Sequence, residues 1–188
     1  MDEILTYPTD SVGALAAEPS HRASLPPGTG PRHHTRHPSG QFLFTCGEIN
    51  STLNVLEYDE DEGKASFLEA YSSLPRDYPE GASTTAQVVA HPNGKAVYVS
   101  NRGHESIAAF SFDESTGKAE FLGTQPTFGR VPRNFDLDPT ATFLIAANQN
   151  PGNLIRFRLN AETFWPEPDN FTIDSPSPAC IVFRPIPE

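Results

Sequence analysis

Residues 31–59 read PRHHTRHPSGQFLFTCGEINSTLNVLEYD, and two later stretches follow the same plan: TAQVVAHPNGKAVYVSNRGHESIAAFSFD at 85–113 and PRNFDLDPTATFLIAANQNPGNLIRFRL at 132–159. Each turns on an X-Pro step, at His37, His91 and Asp138, so the intervals from 37 to 91 and from 91 to 138 are 54 and 47 residues. A period of this size, carried by short apolar runs between turn residues, marks an array of repeated supersecondary units.

Within each copy the step leads into a turn (Ser39-Gly40, Asn93-Gly94, Thr140-Ala141) and then a short apolar run: Phe42-Leu43-Phe44, Ala96-Val97-Tyr98-Val99, Phe143-Leu144-Ile145. These runs are brief, rich in aromatic and β-branched residues and closed by polar ones, which favours strand over helix. A further strand spaces its apolar groups two apart (Leu56 and Tyr58, Phe110 and Phe112, Phe157 and Leu159), the period of a strand buried on one face. The acidic turns ending in Gly63-Lys64 and Gly117-Lys118 lead to Phe67-Leu68 and Phe121-Leu122 as a fourth strand. No stretch reads as a helix. The expected fold is all-β: a β-propeller of four-stranded antiparallel blades, a partial ring of about three to four blades, forming a single domain over residues 1–188. Pro176 to Phe183 is expected to add one more inner strand, and Asp10-Ser11-Val12-Gly13 a hairpin turn. A part-ring exposes strand edges, which leaves a homo-oligomer through those edges open.

Composition narrows the function. Lys and Arg number 13 against 24 Asp and Glu, a formal charge of −11, which speaks against nucleic acid or an anionic membrane as general partner but allows a small anion in a locally basic pocket. The start Met1-Asp2-Glu3 lacks a basic and apolar leader, and no apolar run approaches bilayer length, so the cytoplasm is the expected location. Two cysteines, Cys46 and Cys180, give no disulfide framework. His33-His34 precedes no second ligand pair at zinc spacing, so neither metal nor other cofactor is expected.

The repeat shows where chemistry can sit. Eleven residues after the anchors stand Glu48, Arg102 and Gln149; five before them stand Arg32, Ala86 and Arg133. Both sets fall at the open end of the first hairpin, on one rim. Apolar positions repeat because the fold does, whereas Glu and Arg alternating at one rim need another cause. Arg32, His33, Glu48, Arg102 and Arg133 together offer planar forks for a carboxylate or phosphate and a carboxylate able to move a proton. The bland reading, a salt-bridge network tying neighbouring blades, fits the same residues. His37 and His91, each before a proline, are expected to be structural; His104 has no evident partner; Phe164, Trp165 and Phe171 are expected to pack rather than hold substrate.

Gly30-Pro31-Arg32-His33 with His37-Pro38-Ser39-Gly40 and Gly47-Glu48, then His91-Pro92-Asn93-Gly94 with Ser100-Asn101-Arg102-Gly103, then Pro132-Arg133-Asn134-Phe135 with Asp138-Pro139 and Asn148-Gln149-Asn150, resemble in order and spacing the C-terminal half of the lactonase family of seven-bladed β-propellers. That family includes the bacterial 6-phosphogluconolactonase type and the fungal carboxy-cis,cis-muconate cyclases. The resemblance implies hydrolysis of a sugar lactone in carbohydrate metabolism, with lactone closure in the cyclase branch and a non-catalytic propeller fragment as alternatives. It implies Arg32, Glu48 and Arg102 as catalytic groups and a small anionic lactone as the partner; their place on the same rim adds His33, Arg133 and Gln149 as candidate substrate-binding groups. The upstream histidine of the cyclase relatives has no counterpart here.

Overall fold

The computed structural model describes residues 2–184. Strands β1 (Glu3–Thr6) and β2 (His21–Ser24) form a two-stranded hairpin. Three four-stranded antiparallel sheets follow: β3 (Pro31–Arg36), β4 (Phe42–Gly47), β5 (Thr52–Asp59) and β6 (Lys64–Ser72); β7 (Thr84–Ala90), β8 (Ala96–Arg102), β9 (Ser106–Asp113) and β10 (Lys118–Pro126); β11 (Arg130–Leu137), β12 (Phe143–Asn150), β13 (Asn153–Leu159) and β14 (Pro166–Asp174). Each sheet is a meander in chain order, as the repeat requires, and the described residues contain no helix.

The alternation seen in the sequence has a different origin from a single buried face. Val97 and Val99 of β8 join Phe42, Phe44, Leu53, Val55, Phe110 and Phe112 in a core between the first and second sheets. Their neighbours Ala96 and Tyr98 face the other way, into a core with Phe135, Leu144, Ile155 and Phe157 of the third sheet. The middle strands are therefore buried on both faces, because each sheet is sandwiched by the next, and both registers of the period-2 pattern are apolar. Sheet stacking holds the array together: Phe44 and Phe112 meet edge to face across the first interface with centroids 4.8 Å apart. At the second interface the Tyr98 hydroxyl donates to the Phe164 carbonyl at 2.7 Å.

His37 locks the first interface at one rim. Its Nδ1 lies 2.7 Å from Ser39 Oγ and its Nε2 3.0 Å from the carbonyl of Gly94, in the equivalent turn of the next sheet. Gly94 is required there twice over. Its φ is +76°, and a Cβ would stand 2.4 Å from His37 Nε2. His91 packs on Phe164 instead, at 5.1 Å, while Asp138 in the same place accepts the N–H groups of Thr140, Thr142 and Phe143. The structural reading of both histidines holds.

Two expectations need correction, on the tail and on His104. The segment from Pro176 to Phe183 is not a strand. Its Ile181 N–H reaches Asn134 Oδ1 at 2.8 Å, so it touches the third sheet's inner strand, but no described strand follows it to form a ladder. His104 does have partners: Nδ1 meets Ser106 Oγ at 2.7 Å and the ring packs edge-on against Tyr78. Phe164 and Trp165 pack on the second core, whereas Phe171 is 41% exposed and lies beneath the Arg156 guanidinium. Asp10 to Gly13 does turn, closed by the Asp10 N–H to Ala14 carbonyl bond and a bridge between Thr9 and Leu15. No helix is long and apolar enough to cross a membrane.

Candidate functional site

The site begins with a backbone irregularity at the same place in every inner strand. From Pro31 opposite Gly47 to His34 opposite Thr45, β3 spends one residue more than β4; β7 does so between Thr85 and Val88, and β11 between Pro132 and Asn134. The extra residues are Arg32-His33, Ala86-Gln87 and Arg133. In a regular strand successive side chains point to opposite faces. A bulge suspends that rule and re-aims the chain. Arg32 and His33 accordingly reach the same neighbouring sheet: Arg32 Nη1 donates to the Ala86 carbonyl and His33 Nδ1 pairs with Gln87 Oε1.

Glu48 follows the last residue of β4, its N–H held by the Gly30 carbonyl at 2.8 Å. Gly30 presents that carbonyl from a left-handed conformation, φ +58°, which glycine adopts without strain. From the end of β8 in the next sheet, Arg102 Nη2 donates to Glu48 Oε1 and, at 2.7 Å, to the Thr85 carbonyl. Arg32 Nε lies 3.6 Å from Glu48 Oε2. Both oxygens of one carboxylate are thus bracketed by arginines from two adjacent sheets. The carboxylate side chain is 38% exposed, against 17% and 15% for Arg32 and Arg102, so water reaches the glutamate while the arginines are fixed by their surroundings.

The charges shape one another. The hydrogen bond from Arg102 holds the Glu48 carboxyl below its ordinary value; burial pushes it up, and the charges of Arg102, Arg32 and Arg133 push it down further. Burial, then the like charge of Arg102, lowers Arg32, while Glu48 supports it. Arg133 is near enough to act on both, and among the described residues it has no carboxylate partner. Three guanidinium groups therefore answer to one carboxylate, a local excess of positive charge in a chain of net −11. The Nε–H of Arg102 is buried with no acceptor. Such an orphan donor is rare in folded proteins.

A carboxyl depressed on folding stabilises the fold fully above its unfolded value, near 4.5, and that contribution is lost as pH falls through the folded value. The gap in thermal midpoint between the native chain and Glu48→Gln is expected to be widest near neutrality and to narrow as pH falls below the unfolded value and through the lower folded one. A gap constant across that range would show that the carboxylate charge is not what Arg102 and Arg32 hold.

Of the six residues singled out in the sequence, Arg32, His33, Glu48 and Arg102 are joined in one group by two hydrogen bonds and the Arg32–Glu48 ion pair, and Arg133 joins it through its charge. Gln149 occupies the equivalent place on β12, half-buried, without a hydrogen bond to the group among the described residues. Gln87 escaped notice. Its signal was the place four residues before each anchor, where His33, Gln87 and Asn134 are all hydrogen-bonding side chains. A cavity of about 1450 Å³ lined in part by Phe112, Leu122, Phe164 and Trp165 opens between the outer strands of the second and third sheets, and none of Arg32, His33, Glu48, Arg102 or Arg133 lines it.

A sequence profile described as "Lactonase, 7-bladed beta-propeller" matches residues 1–183. The chain belongs to the seven-bladed β-propeller lactonase family. It is 34% identical over 183 residues to the 6-phosphogluconolactonase of Bacillus subtilis, a match covering 97% of this chain and 51% of that protein. A crystal structure of a Lactobacillus plantarum protein superposes with TM-score 0.87 at 29% identity, over 94% of this chain and 50% of the other. The Pseudomonas aeruginosa periplasmic gluconolactonase superposes with TM-score 0.89 at 23% identity, over 99% and 52%, a likeness of fold. The chain spans about half the length of the curated relatives it matches. Its three complete sheets and one hairpin correspond to part of the lactonase ring, and the arginine–glutamate group lies on the rim of that part.

Proposed function

We propose that this lactonase-family chain opens a sugar lactone that carries an anionic group, 6-phosphogluconolactone being the leading candidate. The observation that carries the reading is the bracketing of one water-accessible carboxylate by guanidinium groups from two adjacent blades. In this scheme the phosphate binds to the unneutralised side of the group, at Arg133 and the uncommitted nitrogen of Arg32, through charge-assisted forks. Negative charge arriving there offsets the arginines that depress Glu48, which makes the carboxylate a better base once substrate is bound. Glu48 takes a proton from water, the water oxygen bonds to the lactone carbonyl carbon, and negative charge develops on the carbonyl oxygen. Arg102, with its orphan Nε–H, or Arg32 stabilises that charge. Collapse breaks the bond to the ring oxygen, which leaves as a hydroxyl carrying the proton that Glu48 returns, and the product is the open acid.

The test is a comparison of 6-phosphogluconolactone with unphosphorylated gluconolactone on the full chain. The phosphorylated lactone is expected to show a kcat/KM higher by roughly tenfold or more, the worth of one or two hydrogen bonds to a charged group. Equal rates would remove the phosphate from the scheme. Turnover of a carboxymuconate lactone in preference to both would move the assignment to the cyclase branch.

A further inference from the structure

We propose that Gln87 is a positioning residue that fixes the tautomer of His33 and, through it, the guanidinium of Arg32; the role in turnover rests on the lactone reading above. Arg32 Nη1 stands 3.1 Å from His33 Nε2. A guanidinium nitrogen only donates, so Nε2 must present its lone pair. The ring proton then sits on Nδ1, which faces Gln87 Oε1, an oxygen that only accepts. A doubly protonated ring would set an N–H against the N–H of Arg32. The three side chains form a directed line, guanidinium to imidazole to amide, in which each donor has one acceptor and no alternative proton placement satisfies both ends.

The line is anchored at its far end. Gln87 lies in the β7 bulge, its backbone N–H held by Ser100 Oγ at 3.1 Å, and the preceding Ala86 carbonyl accepts the other Nη1 hydrogen of Arg32. With Nη1 committed twice and Nε facing Glu48 at 3.6 Å, Arg32 has only Nη2 without a partner among the described residues. Orienting that one nitrogen is what a bound anion requires of the scaffold. Gln87 acts on it from the neighbouring blade, at the repeat position occupied by His33 itself in the first copy.

Two readouts test this on the full chain. The first is the protonation pattern of His33 from two-bond proton–nitrogen correlation spectra of 15N-histidine-labelled protein, with His33→Gln assigning the signal. The Nδ1–H form is expected in the native chain and in Gln87→Glu, which keeps the acceptor, and is expected to be lost in Gln87→Met. The second is calorimetric affinity for 6-phosphogluconate, expected to weaken about tenfold in Gln87→Met at a temperature where the variant remains folded. An Nε2–H form in the native chain overturns the proposal even if the Met variant does not fold. So does a Met variant that leaves both tautomer and affinity unchanged, whatever the turnover. An Nδ1–H form with weakened affinity but no lactone hydrolysis supports the positioning role and removes only the reaction assigned to the site.

Discussion

Glu48→Gln is expected to lower kcat for 6-phosphogluconolactone by roughly 10²- to 10⁴-fold, the span lost with a positioned general base. The substitution keeps the shape and one acceptor oxygen facing Arg102, so the backbone bond from Glu48 N–H to Gly30 survives. What disappears is the charge that takes a proton. Because that charge also repels an anionic ligand, KM is expected to hold or fall while kcat collapses. This split separates loss of a base from loss of a binding group. An unchanged kcat would exclude Glu48 from the chemistry and leave the arginine–glutamate group as a tie between blades.

The largest expected effect on stability comes from the other rim. Gly94→Ala is expected to destabilise the fold by about 3 kcal/mol: about 1–2 for a side chain held at positive φ and the rest for forcing a Cβ against the His37 ring. In a chain of this size that is a fall of roughly 10 °C in thermal midpoint. Gly13→Ala is the control. Its φ is +85° but nothing lies within 4 Å of its would-be Cβ, so it carries the backbone cost alone. Equal midpoints for the two variants would show that His37 does not bear on Gly94. If it does, His37→Ala should recover part of the Gly94→Ala loss, since the two residues are in contact and their effects should not add.

The repeat was legible because it is written twice, once in the turn residues and once in the apolar runs. Strands β3 to β13 follow from those two signals, whereas β14 was expected only by analogy with the two earlier copies, since no Gly-Lys turn leads into it. The doubly buried middle strands were not legible as such: Val97 and Tyr98 are both apolar, and only the stacking of sheets explains why neither faces water. Of the site, the rim and its residue types could be read from position. The bulge could not, since Arg32-His33 looks like any two strand residues until the ladder shows the extra one. That missing fact concealed Gln87 and the line from Gln87 through His33 to Arg32. The expected tail strand failed for a related reason: Pro176 to Phe183 has an inner strand's apolar pattern, but a strand also needs a neighbour to pair with.

One dual role remains visible in the geometry. Three contacts between the first and second sheets, Arg32 to Ala86, His33 to Gln87 and Glu48 to Arg102, all span 54 residues, the repeat interval itself. Each joins a position to its own copy in the next blade. The tie between blades and the proposed site are therefore the same set of bonds.

The most direct measurement is the initial rate of 6-phosphogluconolactone ring opening, followed by proton release at neutral pH, with and without the full chain. The account predicts acceleration over the uncatalysed reaction that saturates with substrate and falls as salt screens the arginine group. A rate indistinguishable from buffer at substrate concentrations where 6-phosphogluconate binds would contradict it.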